Sequence, residues 1–323
     1  MHKIYLVYND NINSFGKNKP ITNATCEIKN IVLPGLKNNS RIELCRNIDQ
    51  SDYIFVVGNK SFKNKKALYG YKDKIIVLDF DDTIDFFLNV PHKLYFKRSV
   101  VSNLKFVKKH TSYIPISFCL RPPNINTNMN KFNRDIDISV FFSPRHKNGD
   151  LLPDNNNIIK NRRYIAKFIQ DNFQNYNIHV GVVGKRGKEG RNNIQKQYFD
   201  MMKRSKIVVT CGPGHCEGDY RLFESLSCGC LVFSEKMLTP VINKFIHKKH
   251  LIYYDKGDSK KLKEELLYYL DNDEERQKIS LEGYTYTNKY HKPENRIDEI
   301  IDRIEEITNY TSSKHTADVT PSE

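Results

Sequence analysis

No run of about 18 apolar residues occurs in the chain, and without one no transmembrane helix is expected. An export signal is also missing: Met1-His2-Lys3-Ile4-Tyr5-Leu6-Val7-Tyr8 is short, soon polar, and reads as a first buried strand. The seven cysteines, an odd number set mostly in or beside apolar runs, are therefore read as reduced thiols of a cytoplasmic protein. Sequons at Asn23 and Asn309 carry little meaning in that compartment. Acidic residues are outnumbered, 38 against 52 lysines and arginines, which gives a net charge of +14. The excess is scattered over segments such as 60–66 and 244–249 without a DNA- or RNA-binding signature, so nucleic acid is not the expected partner. Weak attraction to anionic membranes or to diphosphate ligands explains the charge equally well. A finger-type metal spacing is absent too. Cys211, His215, Cys216, Cys228 and Cys230 supply soft ligands, but Cys228 and Cys230 flank Gly229 in an apolar setting that suits packing of a helix on a sheet.

What is present is a chain of 323 residues, enough to bury two cores. Short apolar runs at 3–8, 53–57, 75–79 and 114–120 read as buried parallel strands, with a helix at 41–48 and loops at 9–20 and 59–71. Arg121-Pro122-Pro123 and the polar residues after it read as a linker. A second series then alternates strands at 136–142, 178–183, 206–210 and 231–233 with helices at 158–172, 193–203 and 220–226. Amphipathic helices at 259–270, 273–290 and 293–307 follow, and the stretch from 312 onward has neither pattern nor bulk and is expected to be disordered. The fold class is α/β: a Rossmann-like domain over 1–124, a second over 125–308, and a tail over 309–323. Apart from this shared plan the halves show no internal repeat.

The run from Ser205 to Glu235 reads as strand, glycine-rich turn, helix and strand. Gly212, Gly214 and Gly218 let backbone approach a ligand, and a helix beginning near Asp219 aims unpaired N–H groups and a dipole at a phosphate. The same glycines can equally serve a plain turn. His215 lies inside that turn as a contact to sugar or diphosphate or as a turn residue. Arg221 can contact phosphate or orient Glu224, which in turn can pair with Arg221 or accept hydrogen bonds from ribose. Arg145, Lys185 and Arg186 follow strand ends, where guanidinium or ammonium groups can meet a diphosphate.

Four segments, in order, resemble the donor-binding domain of GT-B glycosyltransferases of the group-1, CgeB-like kind. They are Asp135-Ile136-Asp137-Ile138-Ser139-Val140-Phe141-Phe142, the run from Tyr198 to Ile207, Tyr220-Arg221-Leu222-Phe223-Glu224-Ser225-Leu226-Ser227-Cys228-Gly229-Cys230, and the C-terminal helices by way of Leu266 to Arg276 and His291 to Arg296. In the first half, Tyr95-Phe96-Lys97-Arg98-Ser99 resembles a segment of the same superfamily. The resemblance covers roughly residues 133–305. It implies a GT-B fold and transfer of a sugar from a nucleotide-diphosphate donor to a glycan, lipid-linked or protein acceptor. It also implies that no metal or other cofactor is needed, and that Glu224 holds the ribose. Glu217 and Glu224 stand one residue closer than the glutamate pair of many retaining members, and it is Glu224 that matches by its Gly229 context. A catalytic base is expected from the first half, at Asp10 or Asp82 after strand ends, with helix caps as the plain alternative. Asp79-Phe80-Asp81-Asp82 also resembles the metal-binding acidic motif of GT-A enzymes, but in the half that does not match. An exostosin- or fucosyltransferase-like enzyme shares the donor-helix logic. A catalytically silent nucleotide-sugar- or polyanion-binding protein is the reading from another class.

Overall fold

The computed structural model describes residues 1–8, 26–57, 65–81, 90–99, 113–121, 132–142, 157–183, 196–212, 218–239, 241–255 and 257–317. Two parallel sheets organise it. The first contains β1 (His2–Tyr8), β2 (Ile42–Leu44), β3 (Tyr53–Val57), β4 (Ile75–Asp79), β5 (Leu94–Lys97) and β6 (Tyr113–Pro115), in the order β2-β1-β3-β4-β5-β6. The second contains β7 (Ile136–Val140), β8 (Ile178–Val180), β9 (Ser205–Val209), β10 (Leu231–Glu235) and β11 (Ile252–Tyr254), in the order β11-β10-β9-β7-β8. In each sheet the chain starts inside, builds one strand to one side and the rest to the other. The strand order therefore reverses between β1 and β3, and again between β7 and β9. Crevices at the carboxyl ends of such pairs are where ligands of open α/β sheets bind.

The second half follows the pattern read from its sequence. α2 (Asn157–Asn172), α3 (Lys196–Arg204), α4 (Tyr220–Ser227), α5 (Ser259–Asp271) and α6 (Asp273–Tyr290) lie where periodicity put them. The first half departs from its reading in several places. The expected helix at 41–48 is instead the edge strand β2, because Ile42 and Leu44 pair beside His2 and Ile4. A 3-10 helix, Lys65–Lys74, occupies part of the expected loop and is anchored by fully buried Leu68. A short π-helix, Ile28–Val32, runs into α1 (Leu33–Lys37), and β5 was not anticipated as a strand; in the second half the one strand not anticipated is β11.

The last helix, α7 (Pro293–Ala317), runs past the point where order was expected to fade. Its Ile297, Ile300, Ile301 and Ile304, one stripe at helical spacing, are all buried. That stripe belongs to a core cluster holding Ile4, Leu6, Ile28, Leu36 and Phe55 from the first half, with Tyr220, Leu226 and Val232 from the second. Arg41 Nη1 lies 2.5 Å from Asp302, and Arg41 Nη2 lies 2.9 Å from Glu305. The last helix in sequence thus packs beside α1, on the first domain.

Candidate functional site

At the β7–β9 switch point the carboxyl ends of both strands meet the start of α4. Gly218, with φ +76°, turns the chain into that helix in a backbone region disfavoured for L side chains. Asp219 is the N-cap: its side chain accepts from Leu222 N at 3.2 Å, and Thr210 Oγ1, just beyond β9, donates to it at 3.2 Å. Two guanidinium groups converge on the same carboxylate. Arg221 Nη1 lies 2.6 Å from Asp219 Oδ2 and Arg162 Nη2 lies 3.6 Å from it. Arg221 Nε also donates to the carbonyl of Phe141, the residue after β7, at 3.0 Å. Burial opposes the Arg221 charge, but Asp219 together with Tyr198 and Cys211 more than offsets it, so its pKa is raised. Two arginines and the Asp219 carboxylate thus meet beside a helix N-terminus, and the buried Glu235, accepting from Gly212 N at 3.2 Å, brings a second carboxyl group to the end of β9.

The first domain meets this place directly. Arg98, immediately after β5 and fully buried, donates from Nε to Phe80 O and from Nη1 to Gly218 O, both at 3.0 Å. Its guanidinium lies 4.0 Å from the centre of the Phe118 ring, and Phe118 stacks on Tyr220 of α4 at 3.9 Å. The carboxyl ends of the first sheet therefore abut the β9–α4 turn. Behind Arg98, Lys97 Nζ and Asp79 Oδ2 form a fully buried pair at 3.1 Å, and Tyr95 Oη donates to Asp79 at 2.6 Å. Desolvation raises the Asp79 pKa in spite of both partners.

Glu224, one turn into α4, is buried. Arg121 pairs with one of its oxygens, and Tyr198 Oη donates to the other at 2.7 Å. Arg121 lies 4.6 Å from the Tyr220 ring centre, so this arginine of the expected linker joins the halves. Arg221, offered at sequence level as the alternative partner of Glu224, pairs with Asp219. Cys228 and Cys230 are fully buried at the end of α4, and burial pushes both thiols up and keeps them protonated. Among the described residues no cluster of His, Cys, Asp and Glu has the makings of a metal site.

Of the expected site residues, Arg221 and Glu224 are thereby placed, within one helix. Asp10, Asp82, Arg145, Lys185, Arg186, Gly214 and His215, with Glu217 and Cys216, lie outside the described residues. Arg98, Arg121 and Arg162 were missed as site residues. The signals for Arg98 were a basic pair ending an apolar run and the resemblance of the segment Tyr95-Phe96-Lys97-Arg98-Ser99 to one of the same superfamily; Arg121 and Arg162 gave none.

Two parallel-sheet domains, joined where their carboxyl ends meet and tied by a returning C-terminal helix, define the GT-B architecture of glycosyltransferases. Residues 162–302 match the family model described as glycosyl transferase-like. Among solved structures, an alpha-glucosyltransferase bound to UDP-glucose and DNA containing an abasic site superposes with a TM-score of 0.53 at 10% identity. The match covers 94% of this chain and 99% of that one. Anabaena HepE in complex with UDP-glucose gives 0.50 at 12% identity, over 95% of this chain and 100% of that one. No curated protein sequence matches. The chain thus has a glycosyltransferase fold of the GT-B type. No helix is long and apolar enough, among the described residues, to cross a membrane.

Proposed function

We propose that this protein transfers a sugar from a nucleotide-diphosphate donor to a glycan, lipid-linked or protein acceptor, without a bound metal. The observation that carries this is the convergence of Arg162, Arg221 and the capped α4 N-terminus at the β7–β9 switch point. Charge building on a leaving diphosphate is stabilised by such fixed donors. Arg162, half-buried and 3.6 Å from Asp219, brings a guanidinium to this switch point that suits a phosphate. UDP and UDP-glucose in the complexes of similarly folded proteins support the donor class. The group-1, CgeB-like assignment rests on the order of the sequence segments.

In this reading Glu224 positions Arg121 and Tyr198, and it reaches a ribose only by exchanging one of them. That engagement also suits a donor-binding protein without turnover, and hydrolysis or transfer from a panel of UDP- and GDP-sugars separates the two. The first domain supplies the acceptor side, with Asp10 or Asp82 as the expected base. The primary test is a thermal-shift screen with UDP, GDP and their sugars, followed by calorimetry on Arg162→Ala. At a hundredfold excess over Kd, a ligand of the folded state adds about 2.7 kcal/mol and a clear rise in Tm. Arg162→Ala is expected to weaken binding roughly tenfold or more, as for a lost charge-assisted hydrogen bond. No shift with any nucleotide removes the reading.

A further inference from the structure

The β10–β11 connection presents apolar side chains to solvent instead of burying them. Leu238 is 46% exposed, Ile242 72% and Ile246 52%, three of the most exposed large hydrophobic residues of the described chain. Residues 236–254 also carry four lysines, Lys236, Lys244, Lys248 and Lys249, and no acidic residue. All four lysines are exposed, and among the described residues none has an ion-pair partner.

Two buried rings pin the connection. Phe245 stacks on His291 at 4.7 Å, and His250 stacks on Tyr286 at 3.9 Å. A tight turn between them, with His250 N donating to Ile246 O at 2.9 Å, places Lys248 and Lys249 at the surface. With both anchors set, Ile246 cannot fold back into the core. Ile242 also lines a cavity of about 700 Å³ whose apolar wall includes Phe96, Ile114, Ile300 and Ile307. On that wall Glu299 pairs with Arg296 and Glu306 with Arg303, while Arg41 is shared among Asp298, Asp302 and Glu305. Glu265 and Glu282 act on His247 and His250 from the neighbouring helices, and against them the connection sets its four exposed lysines.

We infer that this connection is a docking surface for an anionic lipid bilayer. Its isoleucines and Leu238 enter the acyl boundary while Lys244, Lys248 and Lys249 meet the headgroup phosphates. Basic residues beside exposed aliphatic ones are the chemistry that binds such an interface. Nucleic acid would satisfy the lysines but offers no medium for three exposed aliphatic side chains, and so fits less well. The inference stands apart from the donor reading, because it needs no nucleotide.

The test is sedimentation of the full chain with vesicles of phosphatidylcholine alone and with about a quarter phosphatidylglycerol, at low and raised salt. Binding to the anionic vesicles only, weakened by salt, is expected. Ile242→Asn/Ile246→Asn keeps the charge and is expected to lower the partition coefficient roughly tenfold or more. Lys248→Gln/Lys249→Gln is expected to lower it roughly fivefold per lysine. Lys167→Gln/Lys72→Gln removes the same charge from other surfaces and should change little. Circular dichroism melts confirm that each variant is folded. The inference is overturned if anionic vesicles are not bound, if the isoleucine variant binds like the parent, or if the control pair loses as much as Lys248/Lys249. It is overturned equally if the isoleucine variant abolishes a dimer in light scattering, or binding to an oligonucleotide, while vesicle binding is unchanged.

Discussion

Arg121 and Glu224 form a buried ion pair whose partners come from different halves of the sequence, with Tyr198 completing the carboxylate's coordination. Removing one member leaves the other charged and out of water. Arg121→Leu is expected to cost about 3–5 kcal/mol in urea unfolding, and the double variant Arg121→Leu/Glu224→Leu much less than the sum of the singles. Single variants within about 0.5 kcal/mol of the parent would show the pair to be unimportant to folding. His291 sets a pH dependence at the same scale. Burial, and then the Arg296 charge, hold its pKa well below the ordinary 6.5, and its Nδ1 accepts from Arg296 Nη2 at 3.0 Å. The folded state therefore keeps the ring neutral while the unfolded chain takes up a proton near 6.5. Stability from this group is complete above that pH and is lost as pH falls. From pH 7 to 5.5 it accounts for a loss of about 1 kcal/mol. His179, His247 and His250 are lowered in the same direction, first by burial. Denaturant midpoints at the two pH values should show the drop, and His291→Gln should reduce it.

Among the elements, α6 approaches the β10–β11 connection so closely that a Cβ at Gly283 would fall 2.1 Å from the carbonyl oxygen of His250. Backbone cannot yield as a flexible side chain can. Gly283→Ala is therefore expected to cost about 1–3 kcal/mol or more as overpacking, read as a lower Tm. Gly70, in the 3-10 helix, has nothing within 4 Å of its would-be Cβ, and Gly70→Ala should be neutral or stabilising by up to about 1 kcal/mol. Equal effects at the two sites would refute the packing argument. Elements of this kind were legible in sequence where their period was long. α6 occupies the residues its charge and apolar spacing marked, and the central strands β3, β4 and β7 declared themselves as β-branched and aromatic runs. β2 and β11 have three residues each, too few to separate a period of 2 from one of 3.6, and only pairing with β1 and β10 decides them. The site was half legible for a related reason. The glycine turn and α4 are local and could be read in order. The partnerships of Arg98 with Gly218 and Arg121 with Glu224 exist only once the two sheets meet, and that of Arg162 with Asp219, within the second half, spans dozens of residues.

The whole molecule depends on where α7 goes, which its amphipathic pattern alone could not announce. A stripe of Ile297, Ile300, Ile301 and Ile304 says that one face is buried, not which sheet buries it. It lies against the first half: Asn39 Nδ2 donates to Asp298 at 2.8 Å, His2 Nε2 lies 2.7 Å from Glu305, and Arg296 Nη2 donates to Phe118 O at 3.2 Å. The core cluster to which the stripe belongs includes residues of both sheets, while each half also has a cluster of its own on the other side of its sheet, Tyr5 to Tyr95 in the first and Ile138 to Ile279 in the second. Burial of four isoleucine side chains is worth roughly 1.5–3 kcal/mol each, comparable in sum with the entire stability of a small domain. A fragment ending at residue 124 should therefore be insoluble or molten when expressed alone, and the full chain should melt in one calorimetric transition. Supplying residues 291–317 as a second chain should rescue the fragment, with the heteronuclear NMR spectrum sharpening on addition of the peptide. Peptide carrying Ile297→Asp and Ile301→Asp should fail to do so. A fragment that folds cooperatively without the helix, or a full chain that melts in two well-separated steps, would show instead that α7 decorates a first domain already complete.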